Sequence, residues 1–205
     1  GQEREKWDNL VVVTSAIGGV TDLLVKLVNS ARAADIDSMH QQLEHLREKH
    51  YAAAREFIDP STHFDELQAV DAQIDVLMSD LKATCAEIAQ SKSADGRLRD
   101  ASLSMGERLM SRILSAIFRV NNIPAEKIDA SEMIVTDYRH QNAQPQFEAS
   151  QANAQRMILP LFEQGIVPVV TGYIGATPDG VITTLGRGGS DYSATYLASL
   201  INANE

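Results

Sequence analysis

Leu10-Val11-Val12-Val13-Thr14-Ser15-Ala16-Ile17-Gly18-Gly19-Val20-Thr21-Asp22 is the stretch whose reading decides the fold. A short β-branched run reads as a buried strand of a parallel sheet. It breaks into a turn of small residues, and an apolar stretch from Leu23 to Val28 follows Thr21 and Asp22. Strand, glycine-containing turn, Thr/Asp cap and helix form the βα junction of an open α/β sheet. Ligands in such sheets sit beyond the carboxyl ends of the strands. Ser15 and Thr21 are therefore candidates for a site. The other account is that they only cap the helix, which explains Thr21 better than it explains the Gly18-Gly19 pair.

The same grammar returns near the other end. Val167 to Ile174 reads as the strongest second strand, and Thr177-Pro178-Asp179-Gly180 as a turn that lets Val181-Ile182-Thr183-Thr184 pair back onto it. Leu185-Gly186-Arg187-Gly188-Gly189-Ser190-Asp191 then leads into a helix through Ala194, Leu197, Ala198 and Ile201. Gly188 and Gly189 let backbone N–H groups approach a ligand. Ser190 stands where an N-cap belongs, so the helix offers free donors and the positive end of its dipole. Arg187 adds a planar fork suited to carboxylate or phosphate. Together these features describe an anion site; the plainer account is a mobile loop before a capped surface helix. Two such junctions on one sheet would face one crevice.

Between the junctions, from about Asp37 to Asn122, the pattern turns helical. Leu43, Leu46, Ala53 and Phe57 mark one helix. Phe64, Leu67, Val70, Ile74, Leu77, Leu81 and Ile88 mark a second, with Asp59-Pro60-Ser61 between them. An antiparallel helical pair follows from this. A further helix is predicted from Ser104 to Phe118, with Leu109, Ile113, Leu114 and Ile117 inward. Ser104 to Glu107 has the spacing of a capping box, which by itself accounts for Glu107. The other account sends Glu107 into the crevice to pair with an ammonium group. Lys127-Ile128-Asp129 and Ile134-Val135-Thr136 read as short strands, and Phe147 to Gln164 as a helix closed by Gly165.

Composition narrows the function. The chain has 205 residues and a formal net charge of −10, which disfavours both nucleic acid and an anionic membrane surface. At 44% hydrophobic it can form a core. One cysteine, Cys85, excludes an internal disulfide and a cysteine-rich zinc site, and fits a reducing cytoplasm. No apolar run is long enough for a membrane span. The polar start, Gln2-Glu3-Arg4-Glu5-Lys6, is no signal peptide, and the missing initiator Met suggests an excised piece of something longer. His40, His45, His50, His63 and His140 lack ligand spacing and are expected to be solvated. Cys85 is expected in the core, and Trp7 against a neighbouring element. There is no P-loop, nucleophile elbow or HExxH motif.

Three stretches together resemble the aspartokinases of the amino acid kinase superfamily: Val11 to Asp22, Ser104-Met105-Gly106-Glu107-Arg108-Leu109, and Thr183-Thr184-Leu185-Gly186-Arg187-Gly188-Gly189-Ser190-Asp191-Tyr192-Ser193-Ala194. Met105 and Tyr173 are mild departures. The resemblance implies a three-layer α/β sandwich of the carbamate kinase-like type, mainly parallel. Residues 1–205 would be its amino-acid-binding part, with a helical excursion at about 38–100. It implies a cytoplasmic transferase that phosphorylates the side-chain carboxylate of L-aspartate with ATP and Mg2+, towards lysine, threonine and methionine. By position, Arg187 would clamp the α-carboxylate and Glu107 the α-ammonium. Thr21 and the Ser15-Ala16 turn would lie near the reacting carboxylate. Gly188, Gly189 and Ser190 would supply backbone donors, and Asp191 would organise the catalytic centre. No protein metal site is implied; the full-length form would be a homo-oligomer.

Two departures matter. The family's opening strand carries a Lys-Phe-Gly-Gly motif whose Lys contacts the transferred phosphate, and the chain starts after it. The family's nucleotide-binding half would follow Glu205. The fragment alone is therefore expected to be inactive. Rival readings are glutamate 5-kinase or acetylglutamate kinase, and a non-catalytic module that binds an amino acid or assembles with a partner. The Glu107 and Arg187 pair favours a free amino acid over an acetylated one.

Overall fold

A computed structural model describes residues 9–204; the expectation for Trp7 lies outside them. Strand β1 (Val12–Thr14), β2 (Ala125–Ile128) and β3 (Val167–Thr171) form a parallel sheet in the order β1-β3-β2. Thr14 pairs with Thr171 and Ile128 with Val170. All five residues of the central strand are buried. Val11 to Val13 are half-buried rather than fully buried, because among the described residues β1 has a neighbour on one side only.

Strand alternation sends side chains to two helical layers. Val12, Val167 and Val169 meet Leu114 and Phe118 of helix α5 (Met105–Val120). On the other face Val13 and Val170 meet Ile158 of α6 (Phe147–Glu163) and Leu197 of α7 (Gly189–Ile201). These layers make the three-layer α/β sandwich that the sequence implies. Gly165 follows α6 with a φ of 68°, as expected of a helix-ending glycine.

The helical layer is deeper than the sequence suggests. It contains α1 (Val20–Arg32), α2 (Ile36–Phe57), α3 (Phe64–Ser91), α4 (Gly96–Leu103) and α5. Their apolar faces share one core, with Leu27, Leu46, Ile74, Leu81, Ile88 and Leu109 at 0% exposure. Helices α2 and α3 are antiparallel, as cross-links Arg55–Asp71 and Tyr51–Asp75 show. The sequence reading missed α4. Asp95 caps it by accepting from the Leu98 N–H at 2.9 Å.

Three other expectations are corrected. Val167 to Ile174 is not one strand: the chain breaks at Gly172-Tyr173, and β4 (Ile174–Ala176) pairs with β5 (Ile182–Thr184) as a separate antiparallel hairpin. The break sits at Tyr173, whose φ is 68°, a conformation no strand can hold. The fold-back of 181–184 through the Thr177 turn is as predicted. Ile134-Val135-Thr136 is not a strand either; it makes only isolated bridges to Ala176 and Pro145. His50 and His140 are not solvated. His50 is fully buried in α2, with Nδ1 2.6 Å from the Leu46 carbonyl, and burial lowers its pKa. His140 pairs with buried Asp100 at 2.8 Å. No described helix is long and apolar enough to cross a membrane.

Candidate active site

The ends of β1 and β3 lie side by side; β1 leads into α1 and, after the β4–β5 hairpin, β5 leads into α7, and each helix starts on a left-handed glycine. Gly19 (φ 81°) is the N-cap of α1 and Gly188 (φ 73°) is the N-cap of α7; neither has a side-chain cap. Thr21, Asp22 and Ser190 are therefore not caps, contrary to the sequence reading. They stand within the first turns. The N–H groups of Thr21, Asp22, Ser190 and Asp191 have no partner among the described residues, so both helices present free donors and dipole ends. The Ser190 hydroxyl donates to Ser15 Oγ at 3.3 Å and joins the two turns.

These turns open on a cleft of about 500 Å³. Ser15, Thr21, Glu107, Arg187, Gly188, Gly189, Ser190 and Asp191 line it. Ala16 does not, yet it touches the site from behind. A Cβ on Gly106 would stand 2.7 Å from the Ala16 Cβ, so the glycine lets α5 close on the β1 turn. That approach puts the Ala16 backbone within hydrogen-bonding reach of the Glu107 carboxylate.

Glu107 is 5% exposed. The capping-box account fails: Ser104 sits in helical conformation without a side-chain cap, and its hydroxyl donates to the Ala101 carbonyl at 2.8 Å. Burial pushes the Glu107 pKa up to about 7, against backbone hydrogen bonds from its own residue and Ala16 that lower it. No cation pairs with it among the described residues. A buried carboxyl without a counter-ion can take a cation if one is brought to it. Arg187 is exposed on its turn and has no ion-pair partner among the described residues.

Gly186, within the glycine segment read as an anion site, also lines the cleft, as do Arg99, Leu103, Gln141 and Tyr173, which sequence reasoning did not assign to it. Arg99 and Leu103 precede Glu107 at steps of four, and α4 runs into α5 through Ser104. Extending the helical period backwards from Glu107 would have found both. Tyr173 forms part of the floor. Its N–H donates to Ser193 Oγ at 2.9 Å, and its carbonyl accepts from the Leu185 N–H at 2.9 Å. Those bonds hold the positive φ that the residue would not adopt alone. Gln141 arrives on a loop with no sequence signal of its own.

The cleft thus offers one buried carboxyl for a cation, an unpaired guanidinium and two helix starts for anions. A zwitterion with a further acidic group, next to a phosphate, matches that set of charges. Comparison with known proteins places the chain in a family. The chain is 31% identical to an aspartokinase of Schizosaccharomyces pombe over 194 residues, 91% of this chain and 35% of that protein. It is 31% identical to the lysine-sensitive aspartokinase 3 of Escherichia coli, covering 95% of this chain and 40% of that one. It therefore spans well under half the length of these curated relatives. Among solved structures, E. coli aspartokinase III in complex with aspartate and ADP superposes with a TM-score of 0.81 at 28% identity, over 96% of this chain and 41% of that one. The lysine- and aspartate-bound T-state superposes at 0.82. With the amino acid kinase family model matching residues 2–205, the strand–glycine–helix junctions have their explanation: the chain belongs to the amino acid kinase family.

Proposed function

We propose that the chain is the amino-acid-binding part of an aspartokinase, and that the whole protein transfers the γ-phosphoryl group of ATP to the side-chain carboxylate of L-aspartate. A carboxylate oxygen attacks the γ-phosphorus, the bond to the β,γ-bridging oxygen breaks, and ADP leaves. The carboxylate is already a nucleophile, so no general base is required; positioning and charge carry the catalysis. Arg187 clamps the α-carboxylate and Glu107 takes the α-ammonium. Thr21 and Ser15 face the reacting carboxylate, and Ala16 backs their turn. The backbone around Gly188, Gly189 and Ser190 offers donors to the phosphoryl oxygens, and Asp191 organises the reacting centre.

Mg2+ on the nucleotide supplies charge neutralisation when bound. The exposed Asp191 would help hold the ion, since Mg2+ is commonly held by one or two carboxylates together with substrate phosphates. Among the described residues no cluster of three His, Cys, Asp or Glu side chains is placed to hold a metal alone.

The observation that carries this reading is Glu107, a buried carboxyl without a counter-ion that shares a cleft with Arg187. An acetylated amino group would leave it unpaired, so the reading favours a free amino acid. The test is an acyl-hydroxamate assay on the full-length protein. Aspartate-dependent hydroxamate is expected. Arg187→Lys and Glu107→Gln should each raise the aspartate KM by about tenfold or more, the value of a charged hydrogen bond. Unchanged KM in both variants would return Arg187 to the surface and Glu107 to a packing role.

A further inference from the structure

Asp100 does not line the cleft, yet it ties the cleft's walls together. It is fully buried in α4. Both its oxygens are occupied by donors from distant segments. Thr184, at the end of β5, donates its hydroxyl to Oδ1 at 2.7 Å. The Gln141 N–H lies 3.2 Å from Oδ1 and 3.0 Å from Oδ2. His140 Nδ1 stands 2.8 Å from Oδ2, which requires the proton on Nδ1. A buried carboxylate is tolerated only when its lone pairs are met in this way.

Shape supports the same junction. Gly96 lies one turn before Asp100 on α4. A Cβ there would stand 2.4 Å from the His140 Cβ, so only glycine lets the loop seat on the helix. The loop in turn carries the glycine turn. The Ala143 N–H donates to the Thr184 carbonyl at 3.0 Å, and a Cβ on Gly186 would meet Asn142 Oδ1 at 2.9 Å and the Gln141 carbonyl at 3.2 Å. The turn bearing Arg187 therefore stands on the loop, and the loop stands on Asp100. Asp100 also belongs to the helical path that continues through Ser104 into α5 and reaches Glu107 seven residues later, about 10 Å along the axis.

We infer that Asp100 is a positioning residue that sets the span between Glu107 and Arg187, and through that span the affinity for an amino acid with a free ammonium and a free carboxylate. This inference rests on the reading of the two residues proposed above. Asp100 touches no ligand. Its effect is read first in the aspartate KM, because Glu107 and Arg187 are the two ends of the span it sets.

The test is steady-state kinetics of the full-length protein with two conservative variants. Asp100→Asn keeps the volume but turns one acceptor into a donor facing donors. Thr184→Val keeps the shape and removes one tie. The aspartate KM should rise by about tenfold in Asp100→Asn, the worth of a charged hydrogen bond, and in the same direction for Thr184→Val. The ATP KM should stay within about twofold. Should Asp100→Asn fail to fold, Thr184→Val carries the test. An unchanged aspartate KM, or equal rises for both substrates, overturns the inference. Arg187→Lys and Glu107→Gln, measured alongside, separate the two levels. If these weaken aspartate and the positioning variants do not, the inference fails while the site stands. If all four leave the aspartate KM unchanged, the site reading fails as well.

Discussion

A single carboxyl sets the chemistry of the cleft. Glu107 titrates near 7 in the fold, pushed up by burial, against 4.5 ordinarily. Its folded pKa lies above its unfolded one, so its contribution to stability is full below about pH 4.5 and is lost as pH rises towards 7. Glu107→Gln should flatten that part of the stability–pH curve, measured by urea unfolding at pH 4.5 and 7.5. An ammonium ligand needs the ionised form. Aspartate affinity should therefore climb from pH 5 to about 7.5, with proton release in the lower part of that range; calorimetry in buffers of different ionisation enthalpy checks both. Cys85 shifts in the same sense: burial pushes its thiol up to about 12, so it should not react with a thiol reagent until the protein unfolds. At this scale the sequence left Glu107 between two accounts, because i to i+3 spacing is common to a capping box and to any helical residue. The hydroxyl of Ser104, turned back to Ala101, rules out the capping box. Asp100 was illegible for a plainer reason: its partners lie 40 to 84 residues away.

Elements repeat the lesson in larger units. The long apolar period of α3 was readable because one face is buried along its length; Ile74, Leu81 and Ile88 have 0% exposure. Ile74→Ala should cost about 2–5 kcal/mol in urea unfolding. Val76→Ala, at a position 62% exposed, should stay within about 0.5 kcal/mol. The eight-residue α4 was invisible because its hydrophobic face carries polar Asp100 and Ser102, both fully buried. The break after β3 was missed for a related reason. Val169 to Ile174 has strand composition throughout, and only tertiary hydrogen bonds at Tyr173 turn it. Both helix starts were placed about two residues late, since a left-handed glycine can cap without a side chain and leaves the Thr21 and Ser190 N–H groups without a partner among the described residues.

At the scale of the molecule, the chain matches 35% to 40% of its curated relatives' length. Phosphoryl transfer needs the donor held in line, and a misplacement of about 1 Å can cost about a hundredfold. Residues 1–205 alone should show no hydroxamate formation at saturating Mg·ATP; clear product would mean that the nucleotide site has been misplaced. Strand β1 has one described neighbour, and beside it an apolar groove of about 540 Å³ runs past Val13, Leu159, Phe162 and Leu197. Concentration-dependent self-association of the isolated chain, read by sedimentation, is the expected result. The contact between Ser15 and Ser190 spans 175 positions, and this separation governs when the cleft comes into being. Helices α1 to α5 follow one another in sequence and can collapse through short loops, whereas β1 must wait for β3 across most of the chain. On the proposed function, aspartate would then have no foothold on a partly assembled chain. It can reward only the finished fold, so its protection against proteolysis should emerge last in refolding, after the helical signal has already returned.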